Sequence, residues 1–164
     1  MVVHWLVNMR AFWRMTNGCV TDVKREESPQ MAKVSKTIEQ WQAQLTPEQF
    51  DVTRNKATEK AFSGEYWDSK VPGVYACVCC ASQVFDAADQ YDAGTGWPSF
   101  SQPLKARVVK TLKDQSLFMV RTEILCANCE AHLGHVFADG PEAGGKRFSV
   151  NSAALCLNPL VDGG

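Results

Sequence analysis

Residues 126–140 read C-A-N-C-E-A-H-L-G-H-V-F-A-D-G, from Cys126 to Gly140, and a short glycine- and proline-rich gap then leads to Arg147, Phe148, Ser149, Val150 and Asn151. A two-residue gap between cysteines makes a knuckle that aims two sulfurs at one point. Cys77 and Cys80 repeat the gap upstream of Cys126 and Cys129. Two such knuckles can complete one tetrahedral zinc site of four thiolates at about 2.3 Å from the metal. Four thiolates leave no open position, so a zinc held there is structural. A redox dithiol or buried free cysteines are the other readings of the same residues. Cys79 offers a second partner for Cys77, and Cys80 is preferred because it repeats the spacing of the later pair.

The whole chain fits around such a clip. It has 164 residues, 45% hydrophobic and 21% charged, enough for one globular domain. The formal net charge of -1 argues against nucleic acid as a partner. No apolar run approaches the roughly 20 residues that span a membrane. Seven cysteines is an odd count, with four in C-x-x-C pairs, which favours metal in a reducing compartment over a disulfide framework. The expected residence is therefore cytoplasmic. Residues 1–34 read as an extension, either a tail upstream of an alternative start at Met31 or a targeting segment over residues 1–30, with a linker-like stretch at 24–30. Val2, Trp5, Leu6, Phe12 and Trp13 are apolar, Arg10 and Arg14 are basic, and no acid precedes Asp22. If that stretch acts as a presequence, the residence becomes mitochondrial. The domain proper is expected over residues 35–160, as a monomer.

Two helices should open it. Thr37 with Gln40, and Thr46 with Gln49, have the spacing of capping boxes, and Pro47 suits a first helical turn. Ile38, Trp41 and Leu45 fall on one helical face. After residues 71–73 the pattern changes to short β-branched and aromatic runs between turn residues. Strands are expected over Val74–Cys77, Ala106–Thr111, Leu117–Leu125, His135–Ala138 and Arg147–Val150. No helix-length segment separates them, so the domain should be mainly β and antiparallel.

Three features carry chemistry besides the clip. Gly134 between His132 and His135 disfavours a helix, so the pair should sit on a turn entering a strand. They can trade protons near neutral pH, ligate metal, or serve the structure. In the run G-T-G-W-P-S-F, from Gly94 to Phe100, two glycines and Pro98 would stiffen a loop around Trp97. Its indole would make an apolar wall for a methyl or thioether group, or simply a core residue. Arg147, Ser149 and Asn151 share one strand face, with Phe148 and Val150 on the other. Taken alone, that polar stripe is commonly a solvated face.

In order along the chain, these stretches resemble the B-type methionine-R-sulfoxide reductases. The resemblance covers Ser35 to Leu157. It is carried by T-P-E-Q-F (Thr46–Phe50), G-V-Y-A-C-V-C-C (Gly73–Cys80), Y-D-A-G-T-G-W-P-S-F (Tyr91–Phe100), R-T-E (Arg121–Glu123), the stretch Cys126–Gly140, and R-F-S-V-N-S-A-A-L (Arg147–Leu155). It implies two antiparallel sheets meeting like a tent, with N-terminal helices against them and a zinc ion on Cys77, Cys80, Cys126 and Cys129. It implies reduction of the R-epimer of methionine sulfoxide in peptides and proteins, with thioredoxin as reductant. It places the nucleophile at Ser149 and proton transfer at His132 and His135. Substrate contacts would come from Trp97, Asp139, Arg147, Phe148 and Asn151. The family's nucleophile is cysteine or selenocysteine, so Ser149 implies binding with little turnover. Thr95 stands where many members carry a resolving cysteine, which leaves Cys19, Cys79 and Cys156 for that role.

Overall fold

In the computed structural model the described residues are 33–114 and 120–160. The expectations for residues 1–32, including the presequence reading and Cys19, lie outside them, as does the start of the strand expected from Leu117.

Both helices begin as their sequences require. Helix α1, Ile38–Gln44, and helix α2, Pro47–Arg54, each carry a complete capping box at Thr37 and Thr46. The threonine hydroxyl accepts from the glutamine N–H, and the glutamine side chain accepts from the threonine N–H. Each box thereby satisfies two backbone donors that a helix start leaves orphaned. Of the expected apolar face, Trp41 and Leu45 are buried, but Ile38 is 64% exposed. Helix α1 is only two turns long and reaches the core with its second turn alone.

Strands β1 (Gly73–Cys77), β2 (Gln83–Asp86) and β9 (Leu155–Pro159) form one sheet in the order β2-β1-β9. Strands β3 (Gln90–Tyr91), β4 (Ser99–Phe100), β5 (Val109–Asp114), β6 (Arg121–Cys126), β7 (His132–Phe137) and β8 (Arg147–Val150) form the second, in the order β3-β4-β8-β7-β6-β5. All pairings are antiparallel. The domain is mainly β, with two sheets and two helices, as expected. The side-chain alternation of a strand sends Phe148, Val150 and Ile124 into a shared core with Tyr75, Val84, Phe85 and Phe100. The rings of Phe85 and Phe100 stack there at 4.4 Å.

The strands differ from expectation at their ends. Arg147–Val150 is as expected, and β1 gains only Gly73. A 3-10 turn, Ala106–Val108, takes the first half of an expected strand, so β5 runs Val109–Asp114. Strand β7 starts three residues early, at His132. The unexpected strands are β2, β3, β4 and β9. Two of these, β3 and β4, are two residues long and exist through their neighbours rather than through local pattern.

Candidate functional site

The two knuckles are the β1–β2 and β6–β7 turns, so the cysteine clip joins one sheet to the other. They are built alike. The residue after each second cysteine, Ala81 or Glu130, has φ near +59°. Its N–H returns to the carbonyl of the first cysteine, at 2.8 Å for Ala81 to Cys77 and 2.9 Å for Glu130 to Cys126. The sulfurs of Cys77, Cys80, Cys126 and Cys129 all lie within 4.8 Å of one another. Cys77 and Cys129 are 3.7 Å apart, and Cys80 and Cys126 are 3.6 Å apart. Thiolates held tetrahedrally about 2.3 Å from a zinc ion would be about 3.8 Å apart, so the cluster fits such an ion. Cys80 rather than Cys79 completes the set. Arg54, at the end of α2, supports the clip: it donates to the Cys129 carbonyl at 3.0 Å and lies 4.0 Å over the Trp41 ring.

The histidines occupy the other face of the larger sheet. Contrary to expectation, both lie inside β7 rather than on a turn before it. In a regular strand, residues three apart point to opposite faces. Here the pairing with β6 shifts between Ile124 and Leu125, so His135 pairs with Glu123 while His132 pairs with Leu125. That bulge inserts one residue and returns His132 to the face of His135. Their ring centroids are 5.3 Å apart.

The strand register aligns a row across the sheet: Tyr91 opposite Ser99, Ser99 opposite Ser149, Ser149 opposite His135, and His135 opposite Glu123. Ser149 thus stands between Ser99 and His135, half-buried. Gly134 permits the close approach of β7 and β8 at this point, because a Cβ there would lie 2.0 Å from the Ser149 carbonyl oxygen. Arg147 and Asn151 flank Ser149, but they do not form a solvated stripe, being 8% and 2% exposed. Arg147 makes a two-pronged pair with Asp139, at 3.0 and 2.9 Å, and lies 4.5 Å over the Phe137 ring. The hydrogen bonds from Arg147 hold the Asp139 carboxyl below its usual range. Phe148 is not brought to this face, since alternation sends it into the core beside Phe85.

Trp97 is half-buried beside the row, and its loop is fastened from both sides. Its indole N–H donates to the Glu59 carbonyl at 3.1 Å, and the carbonyl of Pro98 accepts from Val150 N–H at 2.9 Å. Glu59 also donates its N–H to the Asn151 side chain at 3.1 Å, while its carboxylate accepts from the N–H groups of Ser152 and Ala153 at 2.7 and 2.9 Å. Burial pushes the Glu59 carboxyl up, against the pull of those bonds. His135 Nε2 lies 3.1 Å from Asp114 Oδ2, and His132 Nδ1 lies 2.7 Å from Glu123 Oε1. Burial pulls the His132 imidazole down. Among the described residues, His132 Nε2 and Tyr91 Oη on this row, and Thr95 Oγ1 in the Trp97 loop, are buried without a hydrogen-bond partner. Buried polar atoms are normally paired, so this face offers polar atoms for a water or a polar ligand to satisfy.

Sequence reasoning gave no role to Glu59, Glu123 or Lys56, which bonds Glu123. Glu123 lies in the quoted R-T-E run, the one signal that could have marked it. Of the candidates for the resolving role, Cys79 is buried beside the clip and Cys156 lies on β9.

The SelR domain matches residues 45–159. Over 139 residues the chain is 52% identical to peptide methionine sulfoxide reductase B1, chloroplastic, of Arabidopsis thaliana, covering 85% of this chain and 68% of that protein. It is 53% identical over 123 residues to the protein of the same name in Oryza sativa subsp. japonica, covering 75% of this chain and 58% of the rice protein. It is 52% identical over 127 residues to peptide methionine sulfoxide reductase MsrB of Acinetobacter baumannii, covering 77% and 91%. With the clip, the sheets and the histidine face in the order the sequence set out, the chain belongs to the SelR-domain family, that of the MsrB peptide methionine sulfoxide reductases.

Proposed function

We propose that this domain binds the R-epimer of methionine sulfoxide in peptides and proteins, and that it reduces it when a thiol stands at position 149. The observation that carries this reading is the row that sets Ser149 beside His135, with the unpartnered His132 Nε2 on the same face. A cysteine there would have Arg147 two residues away on its own strand face, which favours thiolate. The thiolate attacks the sulfoxide sulfur, a histidine protonates the oxygen, and the oxygen passes to the cysteine as sulfenic acid while the thioether leaves. A second thiol then forms a disulfide with release of water, and a dithiol reductant of the thioredoxin class reopens it by exchange. Trp97 would wall the methyl group, and Asp139, Arg147 and Asn151 would shape the polar side. Zinc on the four cysteines would be structural, and no chemical step passes through it.

Serine keeps the shape at position 149 and lacks the chemistry, because an alcohol ionises far less readily than a thiol of pKa about 8.5. The chain as it stands should therefore bind the R-sulfoxide with negligible turnover. Ser149→Cys should release one methionine per chain from the R-epimer and none from the S-epimer. Mass spectrometry should then find one added oxygen on the cysteine. If the Ser149→Cys chain binds the R-sulfoxide but neither releases methionine nor gains oxygen, a binding module for oxidised methionine replaces the reductase. Ser149 itself favours that second reading. We infer a monomer. For residence, the two plant relatives are chloroplastic by name, which supports reading residues 1–30 as an organellar presequence over the cytoplasmic expectation. Fusing those residues to a fluorescent protein tests it.

A further inference from the structure

Glu123 lies opposite His135 on β6 and is 4% exposed, yet it bonds the other histidine. Its Oε1 is 2.7 Å from His132 Nδ1, and its Oε2 accepts from Lys56 Nζ at 2.9 Å. Lys56 reaches it from the segment after α2, with φ at +60°, a left-handed conformation unusual for a residue with a side chain. The lysine side chain is 59% exposed and that of Glu123 only 5%, so the pair carries charge from the surface to a buried carboxylate. That left-handed conformation ends helix α2, where the Ala57 N–H returns to the Asp51 carbonyl at 3.2 Å, and from it Lys56 reaches the buried carboxylate beside His132.

A carboxylate paired to lysine only accepts hydrogen bonds, so His132 Nδ1 must carry a hydrogen. In the neutral ring the lone pair is then on Nε2, the atom that is buried without a partner. We propose that Lys56 and Glu123 are positioning residues that fix the His132 ring and tautomer, so that Nε2 meets the reacting groups first as an acceptor. This rests on the reductase reading. It assigns a direction to the proton. With cysteine at position 149, Nε2 takes the thiol proton, leaving thiolate. The imidazolium, its Nδ1–H still held by Glu123, then gives the Nε2 proton to the sulfoxide oxygen as that oxygen moves to sulfur. The sum is one thiol and one sulfoxide giving one sulfenic acid and one thioether, with no proton drawn from outside.

Imidazole nitrogen NMR on the full chain tests the tautomer without any turnover. Near pH 7.5, His132 should show Nδ1 protonated and Nε2 bare. In Glu123→Gln, Lys56 claims the amide oxygen and the amide NH2 faces Nδ1, so the tautomer should invert. Lys56→Met leaves the buried carboxyl without its cation, which favours the protonated acid; that acid can donate to Nδ1, giving a mixture of tautomers. In the Ser149→Cys background, Glu123→Gln should slow methionine release in a single turnover by about 10²-fold or more, with sulfoxide affinity changed less than about threefold. Glu123→Asp should recover part of that rate. An Nε2-protonated His132 in the unsubstituted chain overturns the proposal, and so does a tautomer in Glu123→Gln identical to the unsubstituted one. A Ser149→Cys chain that releases no methionine overturns the reductase reading instead, while the tautomer still reports on Glu123.

Discussion

The cysteine clip and the histidine face are built from adjacent residues of β6 and β7, yet they follow opposite rules. The clip is closed. Its two turns repeat each other, all four sulfurs converge, and Arg54 seals one side. The histidine face is left incomplete. Among the described residues, His132 Nε2 and Tyr91 Oη lack partners there, against Arg54 Nε beside the clip, and the central residue, Ser149, is half-buried rather than sealed. A structural centre turns its ligand atoms inward on one another, as the four sulfurs do. A working site leaves some to be satisfied by what it binds, and depends on its surroundings to bear the cost. The clip should therefore govern whether the domain folds, and the face should govern what the folded domain does.

Emptying the clip of the zinc it would hold separates the two most sharply. Chelation at neutral pH, or Cys126→Ser, should abolish the cooperative thermal transition, because structural zinc in small domains is worth about 10–16 kcal/mol. Circular dichroism would follow the transition and metal analysis the zinc. A cooperative melt with no bound metal would mean that the clip is not what folds this domain.

Next in size is Gly134→Ala. The new Cβ would meet Ser149 carbonyl oxygen at 2.0 Å and Val150 Cα at 2.9 Å, both backbone atoms that cannot swing away. Strands β7 and β8 must part, at a cost of about 3 kcal/mol. Urea denaturation should show that loss while one metal ion per chain is retained. Loss of the metal as well would mean that the face and the clip are mechanically one unit.

Glu59→Gln should cost less, about 2 kcal/mol, since one of two charge-assisted bonds to the N–H groups of Ser152 and Ala153 is replaced by a donor facing a donor. The Trp97 indole is held by the carbonyl of the same residue, so its fluorescence should shift in the folded state. A stability loss with an unchanged Trp97 signal would confine Glu59 to a structural role.

What could be read from the chain was local. Both capping boxes close within three residues, each knuckle within four, and the Arg147–Val150 alternation within one strand, so their chemistry is written in the spacing. Ile38 broke the helical pattern because nothing local says where the core ends. The face was legible only as ingredients. A bulge set by pairing with β6 makes His132 and His135 neighbours on one surface, and no periodicity announces it. Lys56 and Glu123 are 67 residues apart, and Glu59 and Asn151 are 92 apart. Those contacts are products of the tertiary fold, and so the residues that orient the site were the ones sequence reading left out.

The smallest effect concerns acid, and it asks which region fails first as pH falls. His132 is 2% exposed, and burial, its largest influence, sets its pKa below the ordinary 6.5 despite the opposing pull of Glu123. His135 and Lys56 nearby add to the lowering. The unfolded chain therefore binds a proton at this residue at a higher pH than the folded chain does. Stability is constant above about 6.5, falls as pH drops through the interval between that value and the folded one, and is level again below it. A His132→Gln chain has no such group, so its melting temperature should vary less over that interval than that of the unsubstituted chain, with both measured at full metal content. If the two slopes coincide, the acid lability belongs to the cysteines of the clip, which would have to release a bound zinc to be protonated. In that case the division of labour between clip and face would hold for folding and fail for acid.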